Sequence, residues 1–532
     1  MEGAEHIRPS AFRPLANAVF RALWIATVVS NIGSWMHEVG AAWLMTSLAP
    51  TPIMVALVQS AASLPVFLLV LPAGALADVL DRRTLLMLTQ SWMLLSAAAL
   101  GVMTLAGLTT PWVLLLLTAI LAIGSAMNAP AWGAITPDLV PRVDVPAAVA
   151  LGSVGFNIAR VIGPALGGAV LATFGPAYVF LLNAVSYLGV IVVIYRWRRP
   201  QRESVLPKER IMSAIRAGGR YVSHAPHLQS ILVRTFVFML GGSALWALLP
   251  LFASHELGLT AAEYGTLLGA LGLGAIGGAA ALPGVRRRTS LDLTVRAATI
   301  VFAAAALAYA FVRDYAFLLG AMFAAGGAWM TIMSTFSLQA QLTVPSWVRA
   351  RAIAFYTIMF QAGMAVGSVF WGWVATHKGL PFAFGTASAA MVAGIVATAR
   401  FRLQEVPDLE TTPSNHWPLP VELSELDPDQ GPVLVLVEYE IDPASSGEFV
   451  GIMHELGVVR RRDGATHWGI FYDAGHRTRY IETFVVESWA EHMRQHGRFT
   501  LADKQAQDLA RSFHVHPSPP KVSHFIYARI QQ

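Results

Sequence analysis

Long apolar runs, broken by short polar or Pro-containing linkers, fill the first three quarters of the chain. A membrane-spanning helix needs about 20 mostly apolar residues. Twelve runs reach that length: roughly 20–48, 53–76, 84–107, 111–132, 146–172, 176–197, 228–253, 262–283, 291–312, 315–340, 347–375 and 380–402. Linkers such as 49–52 and 109–111 are too short to carry structure of their own. The segment 198–227 is longer and divides the set into six plus six. Residues 404–430 then switch to a linker composition, with seven acidic residues, five prolines and no Lys or Arg. Beyond them the period changes to that of strands and short helices. Strands are expected at 433–441, 467–473, 479–488 and 521–530, and helices at 444–459, 489–495 and 501–513. That βαββαβ order predicts a ferredoxin-like α+β unit. The pattern as a whole predicts an all-α polytopic membrane protein with 12 transmembrane helices in two six-helix bundles (1–197 and 228–403). A basic inter-bundle segment (198–227), an acidic linker (404–430) and a C-terminal ferredoxin-like domain (431–532) complete it.

Composition supports two units in different solvents. Of 532 residues, 55% are hydrophobic and 13% charged, and the mean hydropathy is +0.55. A soluble globular chain carries about 25% charged residues. The net charge of +5 hides a split: 26 basic and 13 acidic residues precede position 404, and 11 basic and 19 acidic follow. Cysteine is absent, which excludes disulfides, thiolate metal sites and Cys nucleophiles. The basic residues sit between spans and read as topology determinants. Arg82, Arg83, Arg142, the 198–227 cluster, Arg286 to Arg288, Arg349, Arg351, Arg400 and Arg402 all fall on one side. Only Arg313 and Lys378 fall on the other. With those arginines inside, both termini are expected to be cytoplasmic. The first span, which has no Ala-x-Ala-like site at its end, is expected to be retained.

The loop after span two reads Gly74-Ala-Leu76-Ala-Asp78-Val-Leu-Asp81-Arg82-Arg83. It resembles the signature of the major facilitator superfamily, although Asp81 stands where that family usually has Gly. Span five contains Gly163-Pro164-Ala-Leu-Gly167-Gly168, which resembles the motif of the superfamily's antiporter branch, although Ala159 replaces one expected glycine upstream. Pro164 removes a backbone donor and bends the helix, and the glycines permit close approach. Both the directional reading and a plain kinked packing helix remain open. Pro130-Ala-Trp132, Thr136-Pro137-Asp138, Asn157, Arg160 and Asn31-Ile-Gly33-Ser-Trp35 together resemble the enterobactin-exporter-like, transmembrane secretion effector subgroup. The resemblance implies a secondary transporter of a prokaryotic inner membrane, with spans one and five in the same bundle. Gly74, Asp78, Arg82, Arg83, Gly163, Pro164, Gly167 and Gly168 would then be gating residues.

Two ionisable residues lie well inside spans, Glu38 and Arg160. Charge at that depth normally faces a cavity or a partner. Glu38 is the candidate proton-coupling carboxylate, and Arg160 its charge partner or an anion-binding residue. A fixed pair that only sets helix register is the competing reading. His37 titrates near neutrality when unperturbed and either joins the coupling site or packs. Candidates for a substrate cavity are Asn31, Trp35, Asn128, Asn157, Trp246, Trp329, Gln339, Gln361 and Trp371, each of which has a packing alternative. Small residues at four-residue spacing in span eight (Gly265, Gly269, Gly274, Gly278) and span eleven (Gly363, Gly367) mark close helix crossings. No Gly-x-x-x-x-Gly-Lys-Ser/Thr occurs, which leaves an ion gradient or facilitated diffusion to drive transport.

The C-terminal unit holds eight of the fifteen histidines. His492 and His496 stand at i,i+4 on a predicted helix, a metal-type spacing, but no third ligand is near in sequence, and no metal or cofactor is expected. The strand order and Ser488-Trp489-Ala-Glu491-His492 resemble dimeric α/β-barrel domains of the antibiotic-biosynthesis monooxygenase type. That resemblance implies homodimerisation or regulation, and the chain shows no catalytic set. The expected function is proton-coupled export of a small amphipathic molecule, siderophore or drug-like. The expected partners are that substrate, protons, the lipid bilayer and a second copy of the chain, with no nucleic acid. An importer of the same fold, and a membrane-tethered enzyme or sensor acting through the C-terminal domain, are the alternatives.

Overall fold

The computed structural model describes residues 12–197, 211–403, 412, 414 and 430–528. Residues 198–210 of the inter-bundle segment and nearly all of the acidic linker lie outside the described residues, as do the side chains of Asp78 and Arg142. The chain forms two compact units.

The first unit comprises Met1–Lys208, Leu232–Phe336 and Tyr356–Arg400. Its helices are α1 (Ala18–Leu48), α2 (Pro52–Val79), α3 (Arg82–Leu105), α4 (Pro111–Leu139), α5 (Val145–Phe174), α6 (Pro176–Arg196), most of α8 (Pro226–Leu251), α9 (Ala261–Arg286), α10 (Leu291–Phe311), most of α11 (Tyr315–Leu342), most of α12 (Arg349–Lys378) and α13 (Leu380–Ala397). Their starts are written locally. Pro52, Pro111 and Pro176 occupy first-turn positions, where a missing N–H has no helical partner to lose. Asn17 caps α1 by accepting from the amides of Val19 and Phe20, and Thr260 and Glu263 form a reciprocal capping box on α9. The two halves break alike before their last helix. Gly175 (φ 87°) precedes α6 and Gly379 (φ 88°) precedes α13, each in a backbone region that favours glycine.

Among the described residues eleven helices are long and apolar enough to cross a membrane. The twelfth expected span, α1, forms a 31-residue helix but falls outside that set. Its polar residues Ser30, Asn31, Ser34, His37 and Glu38 account for the difference.

The two bundles meet through small residues. A Cβ on Gly168 of α5 would lie 2.8 Å from the Cα of Gly265 on α9, so only glycine allows that crossing. Between α2 and α12, Ser60 Oγ donates to the Ala365 carbonyl at 3.0 Å, and the Ile53 amide donates to Thr376 Oγ1 at 3.1 Å. Trp43 of α1 stacks on Tyr264 of α9, with ring centroids 5.3 Å apart. These contacts lie at the helix ends away from the arginine-bearing loops.

The second unit comprises Glu209–Ile231, Ser337–Phe355 and Phe401–Gln532. It holds helix α7 (Ile211–Ser223), the α11–α12 connection and the C-terminal domain. That domain runs β1 (Val433–Glu440), α14 (Ser446–Asp463), β2 (His467–Tyr472), β3 (Arg479–Val486), α15 (Trp489–Arg498), α16 (Leu501–Ser512) and β4 (Lys521–Ile526). The sheet order is β2-β3-β1-β4 with all neighbours antiparallel. Val433, Val435, Val437 and Tyr439 alternate inward, where they pack with Phe449, Met453, Leu456, Trp489 and Phe499. Every strand and helix expected in this region forms, with the second helix split by Phe499 and Thr500 into α15 and α16.

Candidate functional site

The α1–α5 crossing builds the site. Gly155 faces Trp24 and Val28, Gly163 faces Ile32 and Trp35, and Gly167 faces Met36, so the two helices run in step. A Cβ on Gly163 would sit 2.5 Å from Trp35 Cβ, and one on Gly167 would sit 2.9 Å from Met36 Cα. Pro164 is buried in the same stretch. This register places Arg160 level with Asn31 and Ile32, and places Glu38 roughly 10 Å further along the axis.

Arg160 is 8% exposed, and its Nε and Nη2 have no hydrogen-bond partner. Glu38 is exposed on α1, within electrostatic range of Arg160. His37 is buried against Phe180, with ring centroids 4.8 Å apart, and neither of its ring nitrogens is hydrogen-bonded. Tyr187 of α6 and Tyr264 of α9 also lie within electrostatic range of Glu38. Tyr187 Oη is within hydrogen-bonding distance of Ser34 Oγ, at 3.3 Å, and Asn183 Nδ2 donates to it at 3.4 Å. Neither tyrosine was marked by a motif; each is identified only by packing against α1.

The sequence-selected cavity residues separate into groups. Asn31 lines a cleft between α1, α4 and α5, together with Trp24, Thr27, Trp132, Thr136 and Phe156. Trp35 packs on Phe156, with ring centroids 6.2 Å apart. Trp246 and Trp329 form an edge-to-face pair, and Phe238, Phe302 and Phe360 surround Trp329. The Trp246 indole N–H has no acceptor. Three candidates are held by bonds to other helices or to their own. Asn128 Oδ1 accepts from Thr89 and Gln90 of α3, Asn157 donates to the Ser153 carbonyl of its own turn, and Trp371 donates to the Leu240 carbonyl at 2.7 Å. Gln361 is half-buried on α12, and Gln339 is buried in the second unit.

The gating candidates form local ties. Arg82 pairs with Asp138 of α4 at 3.5 Å. Arg83 donates to the carbonyls of Ile194 and Tyr195 at 3.1 and 2.6 Å, satisfying the C-terminal end of α6. Asp81 caps α3 by accepting from the Thr84 amide, which gives that departure from the superfamily signature a structural role. Gly74 has open space around its Cα. In the second half, Arg234 of α8 pairs with Asp292, and Arg296 pairs with the same carboxylate at 2.7 Å. Arg286 donates to Thr335 Oγ1 at 3.1 Å. Asp138 stands in the Thr136-Pro137-Asp138 run but was not marked there as the partner of Arg82, and Asp292 carries no local motif.

Beyond its geometry, the chain matches a family profile described as transmembrane secretion effector over residues 9–532. The chain belongs to the transmembrane secretion effector family. Relatives of this family member include the multidrug efflux pump Tap of Mycolicibacterium fortuitum, 27% identical over 73% of this chain and 97% of that protein. The staphyloferrin A transporter of Staphylococcus aureus is 32% identical over 30% of this chain and 41% of its own length. An uncharacterised MFS-type transporter of Bacillus subtilis is 26% identical over 66% and 86%. Two solved structures show the same fold. One is a bacterial homologue of the human lysosomal transporter Spinster, inward-facing and unoccupied, with TM-score 0.58, 17% identity and coverage of 73% of this chain and 96% of that one. The other is a POT family transporter in complex with a thioalcohol-conjugated peptide, with TM-score 0.60, 12% identity and coverage of 72% and 95%. This chain is therefore a multi-pass membrane transporter and not an enzyme.

Proposed function

We propose that this transporter is a proton-coupled exporter of a small amphipathic molecule, working by alternating access between its two six-helix bundles. The observation that carries the reading is Glu38 and Arg160: two ionisable groups on the neighbouring helices α1 and α5, about 10 Å apart along the axis and within electrostatic range, with Nε and Nη2 of Arg160 not hydrogen-bonded. Protonation of Glu38 removes the carboxylate's claim on Arg160, which then binds an anionic group of the substrate. His37 and the two nearby tyrosines supply the polar lining. The siderophore transporter and the efflux pumps among the relatives support a siderophore or drug-like cargo. The Gly163-Pro164 stretch supports antiport. The one-sided arginine loops support an inner-membrane protein with both termini cytoplasmic. With that orientation, the bundle contacts close the external end.

Two measurements test this reading. Cells expressing the protein are loaded with a panel of siderophores, dyes and antibiotics, with and without a protonophore. Lower accumulation of one compound, restored by the protonophore, is expected; higher accumulation would instead mark an importer. The Glu38→Gln variant is expected to lose uphill transport and retain counterflow exchange. Normal uphill transport by that variant would remove the coupling role from Glu38.

The C-terminal domain supports a second element, homodimerisation. Its outer sheet face presents Leu434, Leu436, Ile481 and Val485 with the more exposed Phe471 (58%) and Phe525 (50%), in register across four strands. An apolar face of this kind fits a second copy of the domain, in line with the resemblance to dimeric α/β-barrel domains. A Phe471→Glu/Phe525→Glu variant is expected to run as a monomer in native mass measurement of the detergent-solubilised protein. A dimer in that variant would move the interface elsewhere.

A further inference from the structure

The second unit contains a contact that neither the family nor the transport reading accounts for. Helix α7 lies in the connection between the two bundles, and two of its arginines reach the C-terminal domain. Arg216 and Arg220 approach Glu487 at 3.7 and 3.5 Å, and Arg220 also pairs with Glu491 at 3.3 Å. Glu491 is 2% exposed and is held from behind by Arg498, through bonds of 2.6 and 3.1 Å. Arg498 in turn lies over the ring of Trp347 in the α11–α12 connection, 4.5 Å from its centroid. Arg351 lies 5.9 Å from the same ring, Tyr221 of α7 meets its edge at 5.6 Å, and Arg462 of α14 lies 5.8 Å from the Tyr221 ring. Three chain segments far apart in sequence are thus knitted by ion pairs and cation–π contacts.

The chemistry of this contact differs from that of a permanent interface. The domain's own core is mainly aliphatic and aromatic, and its buried ion pair Arg460–Glu482 is fully enclosed. Its contact with α7 joins a buried part, Arg220 with Glu491 and the Tyr221 ring beside Arg462, to a more exposed ion pair, Arg216 with Glu487. Pairs of that kind are individually weak and are screened by salt. They suit a contact that opens.

The geometry points to a charge latch: the C-terminal domain clamps α7 and the α11–α12 connection in cis, and so restrains the exchange between the two arrangements of the bundles. This rests on the alternating-access reading, because holding the inter-bundle connector matters only if the bundles move. Release of Arg216 and Arg220 frees the connector and speeds that exchange. The latch is a brake on transport, and any agent that competes for Glu487 or Glu491 relieves it.

The chain has no native cysteine, so spin labels attach only where cysteines are introduced. One labelled pair, Ser223→Cys with Gly451→Cys, reads the latch. A second pair, Leu108→Cys with Lys378→Cys, reads the distance between bundles. Both are measured by pulsed dipolar spectroscopy on the full chain in nanodiscs, without substrate. The unmodified latch is expected to give one narrow 223–451 distance. Arg216→Glu/Arg220→Glu is expected to broaden it and to raise the minor inter-bundle population roughly tenfold. Adding Glu487→Arg to Arg220→Glu is expected to restore the narrow distance, which a misfolded domain would not do. A 223–451 distance unchanged by charge reversal and by 1 M salt overturns the latch. So does an opened latch that leaves the inter-bundle distribution unaltered. Neither readout needs transport, so failure of the Glu38 experiment and failure of the latch are separately visible.

Discussion

Arg460 of the C-terminal domain and Arg160 of the membrane bundle are buried charges treated in opposite ways. In the domain, Arg460 and Glu482 are 4% and 0% exposed and meet through two hydrogen bonds of 3.0 and 3.3 Å, and Trp468 donates to the same carboxylate. Arg462 is shared between Asp463 and Asp503. Burial pushes the Asp463 carboxyl up, partly offset by Arg462. In the bundle, Arg160 is as deeply placed, yet two of its nitrogens have no partner. A buried charge with every donor satisfied fixes a shape. A buried charge left open is costly to keep unless something arrives to use it. The contrast separates architecture from function better than depth alone does.

The comparison can be broken first at its architectural side. Glu482→Ala takes the two-bond carboxylate partner from buried Arg460 and is expected to destabilise the domain by about 3–5 kcal/mol. Hydrogen exchange of β1 and β3 in the full chain measures it, and unchanged protection would void the contrast. The next effect is driven by pH. His492 is held down to about 3, first by burial and then by the charges of His496 and His524. The unfolded chain binds a proton there near pH 6.5 and the folded domain does not. The domain's full stability is therefore present above pH 6.5 and falls as the pH drops from 6.5 toward 3, by at most about 1.4 kcal/mol per unit. His492→Phe is expected to flatten that slope in acid melts followed by near-UV circular dichroism.

Smaller still is Trp371→Phe, which removes the bond to Leu240. It is expected to lower stability by about 1 kcal/mol and to leave transport selectivity unchanged, as measured by thermal unfolding and a compound panel. The smallest stability effect belongs to Arg160→Leu. Removing a buried charge with two unbonded nitrogens is expected to shift the melting temperature little or slightly upward, and to abolish transport. A large loss of stability in that variant would make Arg160 architectural after all.

The long helices were legible because apolar length, first-turn prolines and polar caps are local. Pro111 and Thr110 mark the start of α4 without reference to any other part of the chain. The domain's strands were legible for the same reason, through two-residue alternation in Val433 to Tyr439. The site was legible only in part. Glu38 and Arg160 are visible because a charge inside an apolar run is conspicuous. Asn128 and Trp371 look equally conspicuous, but Thr89, Gln90 and a carbonyl on another helix occupy their polar atoms. Nothing local reveals that Asp138 answers Arg82, that Asp292 answers Arg234, or that Glu491 sits beneath Arg220. Those pairings join positions 56 to 271 residues apart, and only the packed chain brings them together.

The polarity of α1 has a consequence during synthesis. Asn31, Ser34, His37 and Glu38 make the leading helix a poor signal for the insertion machinery, which favours uninterrupted apolar segments. Its partners are on α6, where Ser186 and Asn183 crowd Gly33 and Tyr187 meets Ser34. The ribosome delivers those partners about 150 residues later. Of the two, α1 is thus made well before the helix that meets its polar face.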